Sequence, residues 1–195
     1  MRNRKNTVIT VVFMIILAAG IIAGYFFLVR GKDSENYEGQ GMQDEAEKLL
    51  LRDLDTSYPA TPREVVKLYS RMMKCYYNGG LKEEKIEAMA AQMRKLFDEE
   101  LLEANPNDVY MPDLKDEIED YAANKRTITS YQVETANNVV TWTSEEREYA
   151  RLVVNYTYKE DQQYFKVYEE FVLRRDETER WRILGWRLAE KEDME

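Results

Sequence analysis

Histidine is absent from all 195 residues. That lack removes Ser-His-Asp and Cys-His catalysis, histidine-ligated zinc and histidine-based pH sensing. Chemistry built on carboxylates, lysine or tyrosine remains open. Cysteine is nearly absent too: Cys75 stands alone, so no intramolecular disulfide can form. A domain of this size can stand on its hydrophobic core without such staples. Cys75 lies inside an apolar helical pattern and reads as a small buried hydrophobe. A reactive thiol would want a base partner, and the adjacent Lys74 points to a different helix face.

The third lack is local. From Thr7 to Val29 the chain runs 23 residues without a charged side chain. As a helix this run spans about 34 Å, enough for the hydrocarbon core of a bilayer. Only a helix satisfies its own backbone there, so the sequence predicts a transmembrane helix over 7–29. Arg2, Arg4 and Lys5 precede it without an acid, which favours a cytoplasmic amino terminus. Arg30 and Lys32 pull the other way, but large following domains translocate largely regardless of charge. A cleaved signal peptide is the rival. It needs a shorter apolar core followed by small residues, whereas Ala18, Ala19, Gly20, Ala23 and Gly24 lie mid-run and no lipoprotein cysteine follows. An uncleaved anchor is favoured. Gly20 and Gly24 make a GxxxG spacing, a dimer face for membrane helices, though small residues are common in such spans anyway.

Acidic residues are missing from residues 1–32, which hold five Lys/Arg; residues 33–195 then carry 23 Lys/Arg against 37 Asp/Glu, net −14. Such a surface repels phosphate backbones, so nucleic acid is not an expected partner.

The remaining chain divides by period. Residues 1–6 form the basic amino terminus, and 30–43, polar and Gly-containing, read as a juxtamembrane tether. Within 44–60, Ala46, Leu49, Leu50 and Leu54 fall at helical spacing, giving a short amphipathic helix and a connection. The folded domain is expected over 61–190, with a tail at 191–195. Thr61-Pro62-Arg63-Glu64 is a helix start with a capping box. Val65, Leu68, Tyr69, Met72, Met73 and Tyr76 then form one apolar face, ended by Gly79-Gly80. A second helix is predicted over 82–104, stopped by Asn105-Pro106, and a third over 112–124. After Arg126 the period becomes two. Strands are expected over 128–134, 139–143, 149–158, 164–174 and 181–189, with turns at Asn137-Asn138 and Asp176–Glu179. Helices followed by antiparallel strands mean an α+β domain: three helices packed on a curved sheet.

The closing segment Phe171-Val-Leu-Arg-Arg-Asp-Glu-Thr-Glu-Arg-Trp181-Arg-Ile-Leu-Gly-Trp186 resembles the final hairpin of the NTF2-like (cystatin-like) cone. More narrowly, three segments resemble an uncharacterised family of single-span membrane proteins of Gram-positive bacteria. They are Asp53-Leu-Asp-Thr-Ser-Tyr-Pro-Ala-Thr-Pro-Arg-Glu-Val-Val-Lys-Leu-Tyr69, Phe97-Asp-Glu-Glu-Leu-Leu-Glu-Ala-Asn-Pro106 and the tryptophan hairpin. The resemblance spans about residues 44–189. It implies a single-pass protein of the bacterial plasma membrane with its carboxy-terminal domain extracellular. It supplies no catalytic residue, and the fold class licenses no activity by itself.

In such a cone Tyr69, Met72, Met73 and Tyr76 would face a pocket from the helix, and Trp181 or Trp186 from the sheet. Aromatic and methionine side chains suit an apolar small ligand or a protein segment; the plainer alternative is ordinary core. The acids of Asp98-Glu99-Glu100 and Asp116-Glu117 sit at helix ends and read as solvated faces. Asp53-x-Asp55 and Asn105-Pro-Asn-Asp108 are fragments of calcium loops without the full register. No catalytic residue, cofactor ligand or metal site is expected. The sequence thus points to a tethered, non-enzymatic interaction or ligand-binding module. The alternatives are an assembly component of a secretion- or conjugation-type envelope complex, and an enzyme using a carboxylate inside the cone.

Overall fold

The computed structural model describes residues 41–78 and 80–189. The uncharged run over 7–29, its Gly20/Gly24 spacing, Gly79 and the tail over 191–195 lie outside them. Among the described residues no helix is long and apolar enough to cross a membrane. Five α-helices come first: α1 over 41–50, α2 (Pro62–Asn78), α3 (Glu83–Arg94), α4 (Glu99–Ala104) and α5 (Asn107–Ala123). Five strands follow: β1 (Arg126–Val133), β2 (Val140–Ser144), β3 (Arg147–Glu160), β4 (Gln163–Arg175) and β5 (Trp181–Leu188). Every pairing between these strands is antiparallel, so the domain is α+β.

The helices differ from the short one within 44–60 and the three longer ones expected, for identifiable reasons. The residues predicted as tether at 41–43 already belong to α1, whose Ala46 and Leu49 are fully buried with Leu54. The predicted helix over 82–104 breaks at Lys95–Asp98, because Phe97 leaves the helix to bridge Ile183 of β5 in parallel. There the Ile183 N–H donates to the Leu96 carbonyl and the Asp98 N–H to the Ile183 carbonyl, each at 2.8 Å. Satisfying the free edge of a sheet outweighs one more helical turn. The third helix begins at Asn107, five residues before the predicted start, and carries Pro112 inside it. Tyr110 and Met111 pack against the core from that first stretch, which offsets the proline's missing N–H.

The start of α2 follows the sequence signal closely. The Glu64 N–H donates to Thr61 Oγ1 at 3.2 Å, while the Glu64 carboxylate accepts from the Ala60 N–H at 3.1 Å. Gly80, beyond the helix end, has φ +51°, the left-handed region that glycine enters without a Cβ penalty.

β3 is the spine of the sheet. β4 pairs along its whole length, β5 pairs with β4, and β1 and β2 share the other edge of β3 end to end. Between β1 and β2 the chain leaves the sheet through a 3-10 turn (Ala136–Asn138). Glu134 covers the gap: its N–H donates to the Val153 carbonyl, and its carboxylate accepts from the Val153 N–H at 2.8 Å. Alternation along β3 puts Ala150, Leu152, Val154, Tyr156 and Tyr158 on the buried face. α2 covers this face and is itself buried at ten positions, from Val65 to Tyr77.

α2 also protects the outer edge of β1 with polar side chains. Arg63 donates to the Glu134 carbonyl, Lys74 to that of Thr129, and Asn78 both donates to and accepts from Ile128. Between helix and sheet, Ser70 Oγ donates to the Val66 carbonyl and lies 2.7 Å from the Tyr156 hydroxyl. Both residues are fully buried. Ser70→Ala should therefore cost about 1–3 kcal/mol by orphaning that hydroxyl, and adding Tyr156→Phe should restore most of it. Urea unfolding of the single and double variants measures both; equal stabilities of the two would sink the pairing.

Candidate functional site

The helical repeat of α2 brings Tyr69, Met73, Tyr76 and Tyr77 to one face, at spacings of i, i+4, i+7 and i+8. Opposite them stand Tyr110, Asp113, Leu114 and Glu117 of α5, again one helical face. Met93 of α3, Asn105 after α4 and Trp186 of β5 close the ring. Together they line a cleft of about 140 Å³. A cavity of roughly this size takes a benzene ring, whereas drug-sized ligands need about 300 Å³ or more. The cleft therefore fits one ring or one short side chain.

Aromatic rings form its inner wall. Tyr69 meets Phe171 edge-on at 5.4 Å and Trp186 at 5.3 Å, and Phe97 meets Tyr110 at 6.1 Å with planes 87° apart. Tyr77 stacks on Tyr121 at 3.9 Å. Such pairs hold the rings rigid. Tyr76 is 2 % exposed, and its hydroxyl is buried without a hydrogen-bond partner. Burial pushes the Tyr110 hydroxyl up to about 12 and keeps it neutral at physiological pH. The rim is polar: Asp113 and Glu117 are exposed carboxylates.

Four of the six pocket residues expected from sequence, Tyr69, Met73, Tyr76 and Trp186, line this cleft. The other two sit elsewhere. Met72 is fully buried core. Trp181 is 6 % exposed, lies under the Arg175 guanidinium at 5.3 Å, and accepts a hydrogen bond from the Tyr58 hydroxyl on its backbone carbonyl. Trp181 pairs with Arg175 and Trp186 with Phe171, so the two rings stand at different places along β4. Sequence reasoning missed Tyr77, which the i, i+8 step from Tyr69 indicates. It also missed Tyr110, because α5 begins earlier than the proline suggested, and Asp113, which stands within the expected helix but was not linked to the cleft.

Of the acids expected on solvated faces, Asp98 is buried, whereas Glu117 is exposed as expected and stands at the cleft rim. Asp98 is 4 % exposed; its carboxylate caps α4 by accepting from the Glu100 N–H and takes two hydrogen bonds from the Arg174 guanidinium. Glu117 lines the cleft, beside the Tyr77 hydroxyl. The calcium-loop fragments serve local turns: Asp53 accepts from the Asp55 N–H and the Thr56 hydroxyl, and Asn105 bonds back to the Leu101 carbonyl. Burial pushes the Cys75 thiol up to about 11, in keeping with a packed, unreactive side chain.

A third acid escaped notice. Glu169 lies on the buried face of β4, opposite Val154 of β3 and Leu188 of β5. Its Oε2 is buried with no hydrogen-bond partner. Burial first, and then the charge of Glu117, push its carboxyl up to about 7. The signal was present in the sequence: alternation through Phe165, Val167, Phe171 and Leu173 puts residue 169 on the same face.

A wider cleft of about 830 Å³ runs past α4 and the start of β3. Its charges answer one another. Arg174 pairs with Asp98 and Glu100, Arg175 with Glu148 and Glu179, and Arg182 with Asp176. It offers no cluster of one sign to a ligand.

Five described helices on one antiparallel sheet, with an aromatic, acid-rimmed cleft between α2, α5 and β5, define this as an α+β domain with a side-chain-sized recess. The chain belongs to the family described as domain of unknown function (DUF6715), which matches residues 1–186. The match takes in the uncharged run as well as the folded domain. No curated protein matches the chain.

Proposed function

We propose that this chain is a single-pass protein of a bacterial plasma membrane that displays an NTF2-like domain outside the cell as a non-enzymatic binding module. The aromatic cleft carries the proposal: rigid rings, a carboxylate rim and an unpartnered tyrosine hydroxyl make a recess for one small group. The NTF2-like assignment is supported by a long helix lying across the sheet and by helices preceding strands. The anchor rests on the 23 uncharged residues from Thr7 to Val29. Holding a domain at a membrane raises its effective concentration towards partners there.

Cys75 is the only cysteine and is buried, so introduced cysteines report topology cleanly. A membrane-impermeant maleimide should label Glu146→Cys in intact cells and Asn3→Cys only after lysis. Labelling of Glu146→Cys only after lysis overturns the extracellular placement. For binding, a fragment screen by thermal shift on the full-length protein in detergent should find ligands of one ring or one short chain. Their binding should be lost in Tyr69→Ala.

Exposed Val140 and Trp142 favour a second role, as an assembly component of an envelope complex. They stand on β2, which pairs only with β3, and Trp142 stacks on Tyr149 at 5.4 Å. Glu169 alone speaks for a carboxylate-dependent enzyme, and it is not among the residues lining the cleft.

A further inference from the structure

The cleft has a chemical preference of its own. Its inner wall presents the faces and edges of Tyr69, Tyr76, Tyr77, Tyr110 and Trp186, and its rim carries the carboxylates of Asp113 and Glu117. Ring faces are electronegative and attract cations, most strongly where water is excluded. Carboxylates at the mouth add a longer-range attraction of the same sign, and the −14 balance of residues 33–195 extends it outward. An anion would meet repulsion at every step.

The neighbouring cations of the protein are already engaged. Arg94 lies over the Tyr110 ring at 5.0 Å and donates to the Asn105 carbonyl at 2.8 Å. Lys115 on α5 bridges Glu83 and Glu87. Neither lines the cleft, and neither pairs with Asp113 or Glu117. The Tyr76 hydroxyl supplies the remaining clue: a buried oxygen without a partner costs about 1–3 kcal/mol until a donor reaches it.

We propose that the cleft binds an alkylammonium group, its alkyl stem held among the tyrosine and tryptophan rings, its charge facing Glu117 and Asp113, and an N–H donating to the Tyr76 hydroxyl. The volume of about 140 Å³ admits a chain of a few carbons and little more. The group is carried either by a free amine or by a lysine side chain of a protein partner. This inference rests on the binding role proposed above and narrows it.

Isothermal titration of the full-length protein in detergent decides it, using n-butylammonium, the neutral near-isostere n-butanol, tetramethylammonium and the peptide acetyl-Gly-Lys-Gly-amide. The cation should bind at least tenfold more tightly than butanol. Glu117→Gln, an exposed and conservative change, should weaken n-butylammonium about fivefold and leave butanol unaffected. Tyr76→Phe should weaken n-butylammonium and leave tetramethylammonium, which has no N–H, unchanged. Tighter binding of the peptide identifies a protein-borne lysine as the source; tighter binding of the free amine identifies a small molecule. If butanol binds as well as the cation, the cleft is an apolar site and the ammonium proposal falls while the binding role stands. If no probe binds and the fragment screen is also empty, both fall.

Discussion

Replacing Glu169 with glutamine should stabilise the protein at pH 8 by about 1–3 kcal/mol and leave it nearly unchanged at pH 4. The carboxyl ordinarily titrates near 4.5 and is pushed up to about 7 in the folded protein, first by burial and then by Glu117. A raised value in an acid means that the native state holds the proton more tightly than the unfolded chain does. Stability from this group is therefore complete below about 4.5, falls through the window from 4.5 to 7, and stays low above it. At about 1.4 kcal/mol per unit the loss amounts to roughly 3 kcal/mol. Glutamine cannot ionise, so the loss disappears, but its amide also needs partners that Val154 and Leu188 do not provide, which trims the gain. Urea unfolding of both proteins across pH 4–8 isolates the term, since every other titrating group is shared. A difference between the two that does not change with pH would show that Glu169 is not buried as a charge.

Asp98→Ala should cost about 3–5 kcal/mol, the largest loss expected of any surface-element change in the domain. The side chains of Asp98 and Arg174 are 5 % and 9 % exposed, and the carboxylate takes both Nε and Nη2 of the guanidinium. Hydrogen bonding to Asp98 raises the Arg174 guanidinium further above its usual value; without that partner it still stays charged, because a guanidinium does not lose its proton at physiological pH. The buried charge then keeps as counter-charge the Glu100 carboxylate at 2.7 Å, a side chain largely in solvent. Loss of the α4 cap adds about 1 kcal/mol. Combining Asp98→Ala with Arg174→Met should recover much of the loss, because a packed apolar side chain carries no desolvation penalty. Denaturant midpoints of the single and double variants test this; a double variant no better than Asp98→Ala would mean that packing, and not charge, holds α4 to β4.

Asp98 reads from the sequence as a solvated acid, whereas Glu169 carries no reading there at all, and the reasons differ. Asp98 stands in a run of three acids at a helix start, which locally looks solvated. Only the crossing of Phe97 onto Ile183 drives it under β4. Alternation through Phe165, Val167, Phe171 and Leu173 places Glu169 on their face, but burial along β4 takes in Glu170 and Arg174 as well, so alternation alone does not single it out. The cleft shows the same division. Tyr69, Met73 and Tyr76 were readable from the period of α2. Tyr110 depended on where α5 begins, since its packing with Met111 overrode the proline signal at Pro112, while Asp113 and Glu117 joined the cleft only when α5 met α2.

Period and capping are local properties, set by side-chain spacing and by the hydrogen bonds of neighbouring residues. From them the sequence by itself determined the α+β order, the start of α2 at Thr61-Pro62, all five strands to within a few residues, the absence of histidine chemistry and the uncharged run at Thr7–Val29. The break between α3 and α4, the shielding of β1 by Arg63, Lys74 and Asn78, and the meeting of α2, α5 and β5 around a recess were decided only in the tertiary structure. Each of these joins residues far apart in the chain, and each is settled by which backbone edge or apolar face remains to be covered once the local elements have formed.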